Sequence, residues 1–144
     1  MVRGDLVSAL LKSFGDRTAP PERSADLPQL NEYWESREFL SKLRNVRWNQ
    51  LLEEDEMTRI SNDAGVWTGY MPRSWFPYYL PAMIAVAYSG STAFASNLRG
   101  LLREILSPEQ GAPAWAREMH DCIWGELTES QRDAIDAVVS ATDQ

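Results

Sequence analysis

The fold of this chain is decided by residues 75–88, which read WFPYYLPAMIAVAY. The segment carries no charged side chain and is apolar or aromatic on every side of a helix, so it needs protein or lipid around it. Its 14 residues are fewer than the roughly 20 that a membrane span requires. We therefore predict a buried central helix, with Pro77 tolerated in its first turn and a bend at Pro81.

The segments on either side of this helix are amphipathic, with apolar residues spaced three or four positions apart. The first three predicted helices span residues 2–14, 30–43 and 48–61. A fourth follows the turn at Thr92 and ends before Pro108, a fifth begins near Pro113 and stops at Gly125, and the last begins at Thr128. Residues 15–28 are rich in proline and polar side chains, which predicts a flexible connection. Residues 66–72 follow Gly65 and end at Pro72, and these two boundary residues favour an extended stretch or a packed loop.

These patterns predict one domain over residues 1–144, of the all-α class, with about six short helices around the central one. A chain of this length buries enough surface to fold without metal or disulfide support. The alternative fold is an α+β domain with one small hairpin near residues 45–72.

The charge of the chain narrows the choice of partners. It has 14 basic and 21 acidic residues and a net charge of -7, which disfavours nucleic acid and suits a basic protein. Cys122 is the only cysteine, which excludes an internal disulfide and indicates a reducing compartment. The first apolar run is interrupted at Lys12, so no signal-peptide pattern is present. We expect a cytoplasmic location without membrane association.

Few residues offer catalytic or metal-binding chemistry. His120 is the only histidine and has no second ligand three or four positions away, so we predict a surface or capping role for it. Cys122 lies two positions further on, which points it to a different side of a helix, and we predict a buried, inert thiol. We accordingly predict no catalytic residue, no metal site and no cofactor. A hydrolase using carboxylates or a metal is the less favoured alternative; its candidate residues are Glu53, Asp55, Asp63 and Asp121.

Aromatic and acidic side chains provide the candidate binding surface. Trp75, Trp115 and Trp124 lie on apolar helical faces and are predicted to be in the core. A second group combines an acidic run with aromatic residues that follow it closely, a mixture that suits a protein-binding surface. Its members are Glu53, Glu54, Asp55, Glu56, Asp63, Trp67 and Tyr70. Packing of the aromatic segment against the central helix is the competing interpretation.

Three sequence features together resemble an uncharacterised family of small bacterial domains. They are the run WFPYYLPA at residues 75–82, Trp48 with Leu51, and LTESQRDAI at residues 127–135. That family is marked by a tyrosine-tyrosine-leucine-proline-alanine helix start and a C-terminal leucine-threonine-x-x-glutamine helix. The resemblance covers roughly residues 45–140. Its motifs are structural, so it implies a fold and no catalytic residue.

The size, the acidity and the missing catalytic signature are also similar to immunity proteins of bacterial toxin systems. This second similarity implies a non-enzymatic protein that neutralises a toxin by covering its active cleft. The alternative is a structural or regulatory domain that assembles with itself through its aromatic segment.

Overall fold

The computed structural model describes residues 3–15, 34–44, 46–71 and 75–142. Within these ranges the chain forms eight α-helices and one 3-10 helix and contains no β-strand, which confirms the all-α fold class. The helices are α1 (Arg3–Phe14), α2 (Trp34–Leu43), α3 (Glu54–Ile60), α4 (Ala64–Gly69), α5 (Phe76–Ser89), α6 (Ala93–Leu106), α7 (Ala114–Glu126) and α8 (Glu129–Thr142), with the 3-10 helix Trp48–Gln50 between α2 and α3.

Two sequence predictions fall on parts of the chain that are not described. The flexible connection at residues 15–28 lies outside the described ranges except for its first residue. The predicted start of the second helix, at residues 30–33, lies outside them as well. In the part of the chain that is described, no helix combines the length and the apolar character needed to cross a membrane.

Helix α5 is the centre of the fold, as its composition predicts. Every residue from Phe76 to Ala87 is buried, so no side of the helix faces water. It contacts α1, α6, α7, α8 and the 3-10 helix. Pro77 lies in the first turn, where a missing N–H costs nothing, and Pro81 lies inside the helix.

The surrounding helices each bury one apolar stripe against the core. In α1 this stripe is Leu6, Leu10 and Phe14, and the helix ends at Gly15, whose φ of 65° few other residues adopt. In α6 the stripe includes Leu98, and the helix begins where the Thr92 hydroxyl accepts the Ala95 N–H at 3.1 Å.

The capping box predicted for the last helix is present. The Thr128 N–H donates to the Gln131 side chain at 2.9 Å, and the Gln131 N–H donates to the Thr128 hydroxyl at 3.2 Å. Ile135, Val138 and Val139 form the buried side of α8, as expected from their spacing.

Helix α4 replaces the extended stretch or loop expected after Gly65. Asp63 begins it, because its carboxylate accepts the Gly65 N–H at 2.9 Å and so satisfies a backbone donor of the first turn. The polar residues before Gly65 thus act as a helix cap rather than as a turn between extended segments. The helix also places Trp67 in the core, where its side chain is fully buried.

Helix α7 is rotated relative to the prediction. Ala116, Met119 and Ile123 form its buried side, whereas Trp115 is 48% exposed and Cys122 is exposed. The prediction of a buried tryptophan and a buried thiol at these positions is therefore wrong. Trp115 precedes Ala116 by one position and so lies about 100° around the helix from it, which turns the tryptophan away from the buried side.

The helix also continues to Glu126, past the predicted stop at Gly125. Of the two other tryptophans predicted to be in the core, Trp75 is buried and Trp124 is half-buried.

Candidate functional site

The acidic run lies at the beginning of α3 and divides into two pairs. Glu53 and Asp55 are exposed. Glu54 accepts a hydrogen bond from the Thr92 hydroxyl, and Glu56 forms an ion pair with Arg59 at 3.0 Å. Negative side chains in a first helical turn are stabilised by the helix dipole. Glu54 therefore links two elements of the fold, and Glu53 and Asp55 are the most exposed members of the run.

Glu54 connects two elements that are distant in the sequence. Its partner Thr92 is the N-cap of α6, and its carboxylate also lies against Gly90, where an added Cβ would be 3.5 Å from Oε1. This residue fixes the start of α3 to the turn between α5 and α6. Its role is consequently structural in this arrangement.

Trp67 has no surface to offer a partner. Its side chain is fully buried, its indole N–H donates to the Ser61 carbonyl at 3.0 Å, and its ring meets Phe39 edge-on with centroids 5.0 Å apart. Tyr70 is half-buried against the core. The core-packing interpretation thus fits Trp67, and of the residues from 63 to 70 predicted to bind a partner, Asp63 is the exposed one.

A groove of about 770 Å³ runs between the start of α4 and the outer side of α6. We call it the α4–α6 groove. It is lined by Asn62, Asp63, Ala64, Gly65, Ser96, Asn97, Gly100, Leu101 and Glu104. Among the described residues that line it, Asp63 and Glu104 are the two charged ones and none is basic. The groove therefore presents a negative surface.

Several polar side chains in this groove are open to a ligand. Those of Asn62, Ser96, Asn97 and Glu104 form no hydrogen bond or ion pair with another described residue. Sequence reasoning missed the three contributed by α6, because it treated that helix only through its apolar stripe. A usable signal was present, since positions 96, 97, 100 and 104 share the face opposite that stripe.

A second groove, of about 420 Å³, lies beside the first between α2 and the segment from Thr58 to Val66. The two grooves share Asn62 and Asp63. Its charges are balanced, because Lys42 pairs with Glu38 at 3.2 Å and the Arg59 side chain pairs with Glu56. The α4–α6 groove is consequently the more electronegative of the two.

His120 has the capping role predicted for it. Its Nδ1 donates to the Ile105 carbonyl at 2.9 Å, in the last turn of α6, and its ring stacks on Trp124 with centroids 4.9 Å apart. Elsewhere in the described ranges, no three histidine, cysteine, aspartate or glutamate side chains converge as a metal site would require.

Comparison with protein-family models, with curated proteins and with solved structures finds no match to this chain. The resemblance to small bacterial domains and to immunity proteins therefore stays a prediction from motif residues and composition.

Proposed function

We propose that this chain is a non-enzymatic, cytoplasmic protein-binding domain that acts as an immunity protein, neutralising a bacterial toxin by covering its active cleft. The observation that carries the proposal is the exposed negative surface of the α4–α6 groove, whose described lining includes Asp63 and Glu104 and no basic residue. Glu53 and Asp55, exposed at the start of α3, add further negative charge.

A surface of this sign is suited to a partner whose active cleft is basic. Opposite charges on two proteins raise the rate of encounter and help to select the right partner. Covering a cleft requires complementary shape and charge but no reacting group. The assignment of the partner as a toxin is supported by the similarity in size and acidity to immunity proteins.

The experiment is co-expression with the toxin encoded beside this gene in its native genome. We expect restored growth, a complex that survives purification, and binding that weakens as the salt concentration rises. Failure of both rescue and binding would overturn the proposal.

A matched pair of four-site variants tests whether the negative surface carries the binding. The surface variant combines Glu53→Gln, Asp55→Asn, Asp63→Asn and Glu104→Gln. The control removes the same charge from exposed positions of α7 and α8 and combines Glu118→Gln, Glu126→Gln, Asp133→Asn and Asp136→Asn. Asparagine caps helices as well as aspartate does, so the change at Asp63 keeps the start of α4. Only the surface variant should lose rescue, and equal losses would contradict the proposed surface.

A specific observation also favours a second candidate, a structural or regulatory domain that assembles with itself. Trp115 is 48% exposed on α7, and tryptophan is enriched in the contact surfaces between proteins. Light scattering should then show a mass that rises with protein concentration and falls to the monomer in Trp115→Ala. A monomer at every concentration would eliminate this candidate.

A further inference from the structure

We infer that the α4–α6 groove accommodates an arginine side chain presented by the partner protein. The inference rests on the proposed protein-binding function and states the chemistry that this surface would recognise.

Charge is the first argument for a cationic occupant. Glu104 has both carboxylate oxygens open to a ligand, because it pairs with no other described residue. In Asp63, Oδ1 already accepts the Gly65 N–H, so its second oxygen supplies further accepting capacity. None of the described residues that line the groove is basic. A positive group entering it would form hydrogen bonds that are stronger than neutral ones.

The arrangement of the neutral polar groups selects arginine among the cations. Asn62 lies on one side of the groove, before α4, and Ser96 and Asn97 lie on the other, on α6. A guanidinium carries five N–H donors in a rigid plane and can bond acceptors on both sides at once. A lysine ammonium has three donors around one point. Acceptors distributed over two elements therefore fit the planar group better.

The lining of the groove leaves room for the aliphatic part of such a side chain. Three of the lining residues are small, namely Ala64, Gly65 and Gly100, and an added Cβ on Gly100 would meet nothing within 4 Å. Leu101 is half-buried at the edge and offers an apolar contact for the methylene groups.

Other occupants fit the groove less well. Phosphate or another anion would face two carboxylates. A hard metal ion takes about six or more oxygen ligands, usually several of them carboxylates, whereas this groove offers two carboxylates facing open solvent.

The test uses the full chain and three capped pentapeptides, Gly-Gly-X-Gly-Gly, in which X is arginine, lysine or the uncharged citrulline. Binding is followed by amide chemical shifts in two-dimensional NMR. We expect the largest shifts at residues 62–65 and 96–104, with affinity falling in the order arginine, lysine, citrulline. Unchanged chemical shifts at these amides, or equal affinity for the arginine and citrulline peptides, would overturn the inference.

Two variants and two matched controls identify the groove as the binding site. Glu104→Gln should lower the affinity for the arginine peptide roughly three- to tenfold, the range spanned by exposed and well-bonded ion pairs. Glu118→Gln makes the same chemical change on α7 and should leave the affinity unaltered. Gly100→Gln should abolish binding by filling the groove. Gly125→Gln changes another exposed helical glycine with open space around it and should leave binding intact. Equal effects of a variant and its control would contradict the inference.

Failure of this inference can be distinguished from failure of the proposed function. If Glu104→Gln and Gly100→Gln bind and neutralise the toxin as well as the unchanged protein does, the arginine site is wrong and the immunity function stands. If the arginine peptide binds in the groove but no toxin is neutralised, the site stands and the immunity function falls.

Discussion

Tyr79 shows how one polar atom positions the segments around an otherwise apolar helix. Its hydroxyl donates to the Val46 carbonyl at 2.6 Å and also lies 3.2 Å from the Leu43 carbonyl. The same hydroxyl thus joins the end of α2 and the segment before the 3-10 helix to α5. The adjacent Tyr78 hydroxyl accepts the Trp48 N–H at 3.4 Å, so both tyrosines fix the chain that precedes α3.

Replacing Tyr79 by phenylalanine should lower the free energy of unfolding by about 1–3 kcal/mol, since the ring still packs but buried carbonyl groups lose their donor. Urea unfolding near neutral pH measures this change. An unchanged midpoint would show that the two carbonyls are satisfied in another way.

The stabilities of the unchanged protein and of Tyr79→Phe should also depend differently on pH. Burial, with a smaller contribution from the neighbouring Tyr78, raises the pKa of the Tyr79 phenol well above its usual value of 10. The unfolded chain therefore releases this proton at a lower pH than the folded protein does. The stability contributed by the group is fully present below pH 10 and is lost as the pH rises through the folded-state pKa. The difference in stability between the unchanged protein and Tyr79→Phe should narrow above pH 10, and a difference that stays constant would contradict this assignment.

Cys122 should react with a thiol reagent in the folded protein, because its side chain is exposed on α7. The expected result is one modified thiol per chain without denaturant, at a rate that denaturant raises only slightly. Cys122→Ser gives the background. A thiol that reacts only after unfolding would mean that α7 has the orientation predicted from the sequence.

At the scale of the elements, replacement by alanine should have opposite effects on stability at two glycines, one inside α6 and one just before it. Gly100, exposed inside α6, has nothing within 4 Å of an added Cβ, so Gly100→Ala should stabilise the protein by about 0.5–1 kcal/mol through helix propensity. At Gly90, in the turn before α6, the Cβ would lie 2.9 Å from the Ala95 Cβ and 3.2 Å from the Val86 carbonyl. Gly90→Ala should therefore destabilise it. Thermal unfolding of both variants checks the pair, and shifts of the same sign would contradict it.

The elements differ in how far the sequence predicts them. Helices α5 and α8 follow from local signals, an apolar segment of helical length and a capping box. Helix α4 was missed because an aspartate before glycine is typical both of turns and of helix starts, and burial of Trp67 decides between them. The groove was missed for a different reason. Its two sides are about 30 to 40 positions apart in the sequence, and only tertiary packing brings them together.

At the scale of the whole molecule, the contacts of α5 connect the N-terminal and C-terminal parts of the described chain. The helix touches α1 and the 3-10 helix on the one hand and α6, α7 and α8 on the other, and α1 also contacts α8. The single domain predicted from length would then unfold as one unit, since helices from both ends of the described chain lose buried surface when α5 is lost.

Met83→Ala tests this directly, because Met83 is fully buried in α5 and truncating it leaves a cavity among elements from both ends of the chain. The expected loss is about 2–5 kcal/mol in the free energy of unfolding. In urea, far-ultraviolet circular dichroism reports the helices and fluorescence reports the tryptophans, and both midpoints should fall by the same amount. Ser140→Ala, on the exposed side of α8, should shift neither by more than about 0.5 kcal/mol. If the midpoint measured by fluorescence fell while the midpoint measured by circular dichroism did not, parts of the chain would unfold separately, and the contacts of α5 would not make the fold cooperative.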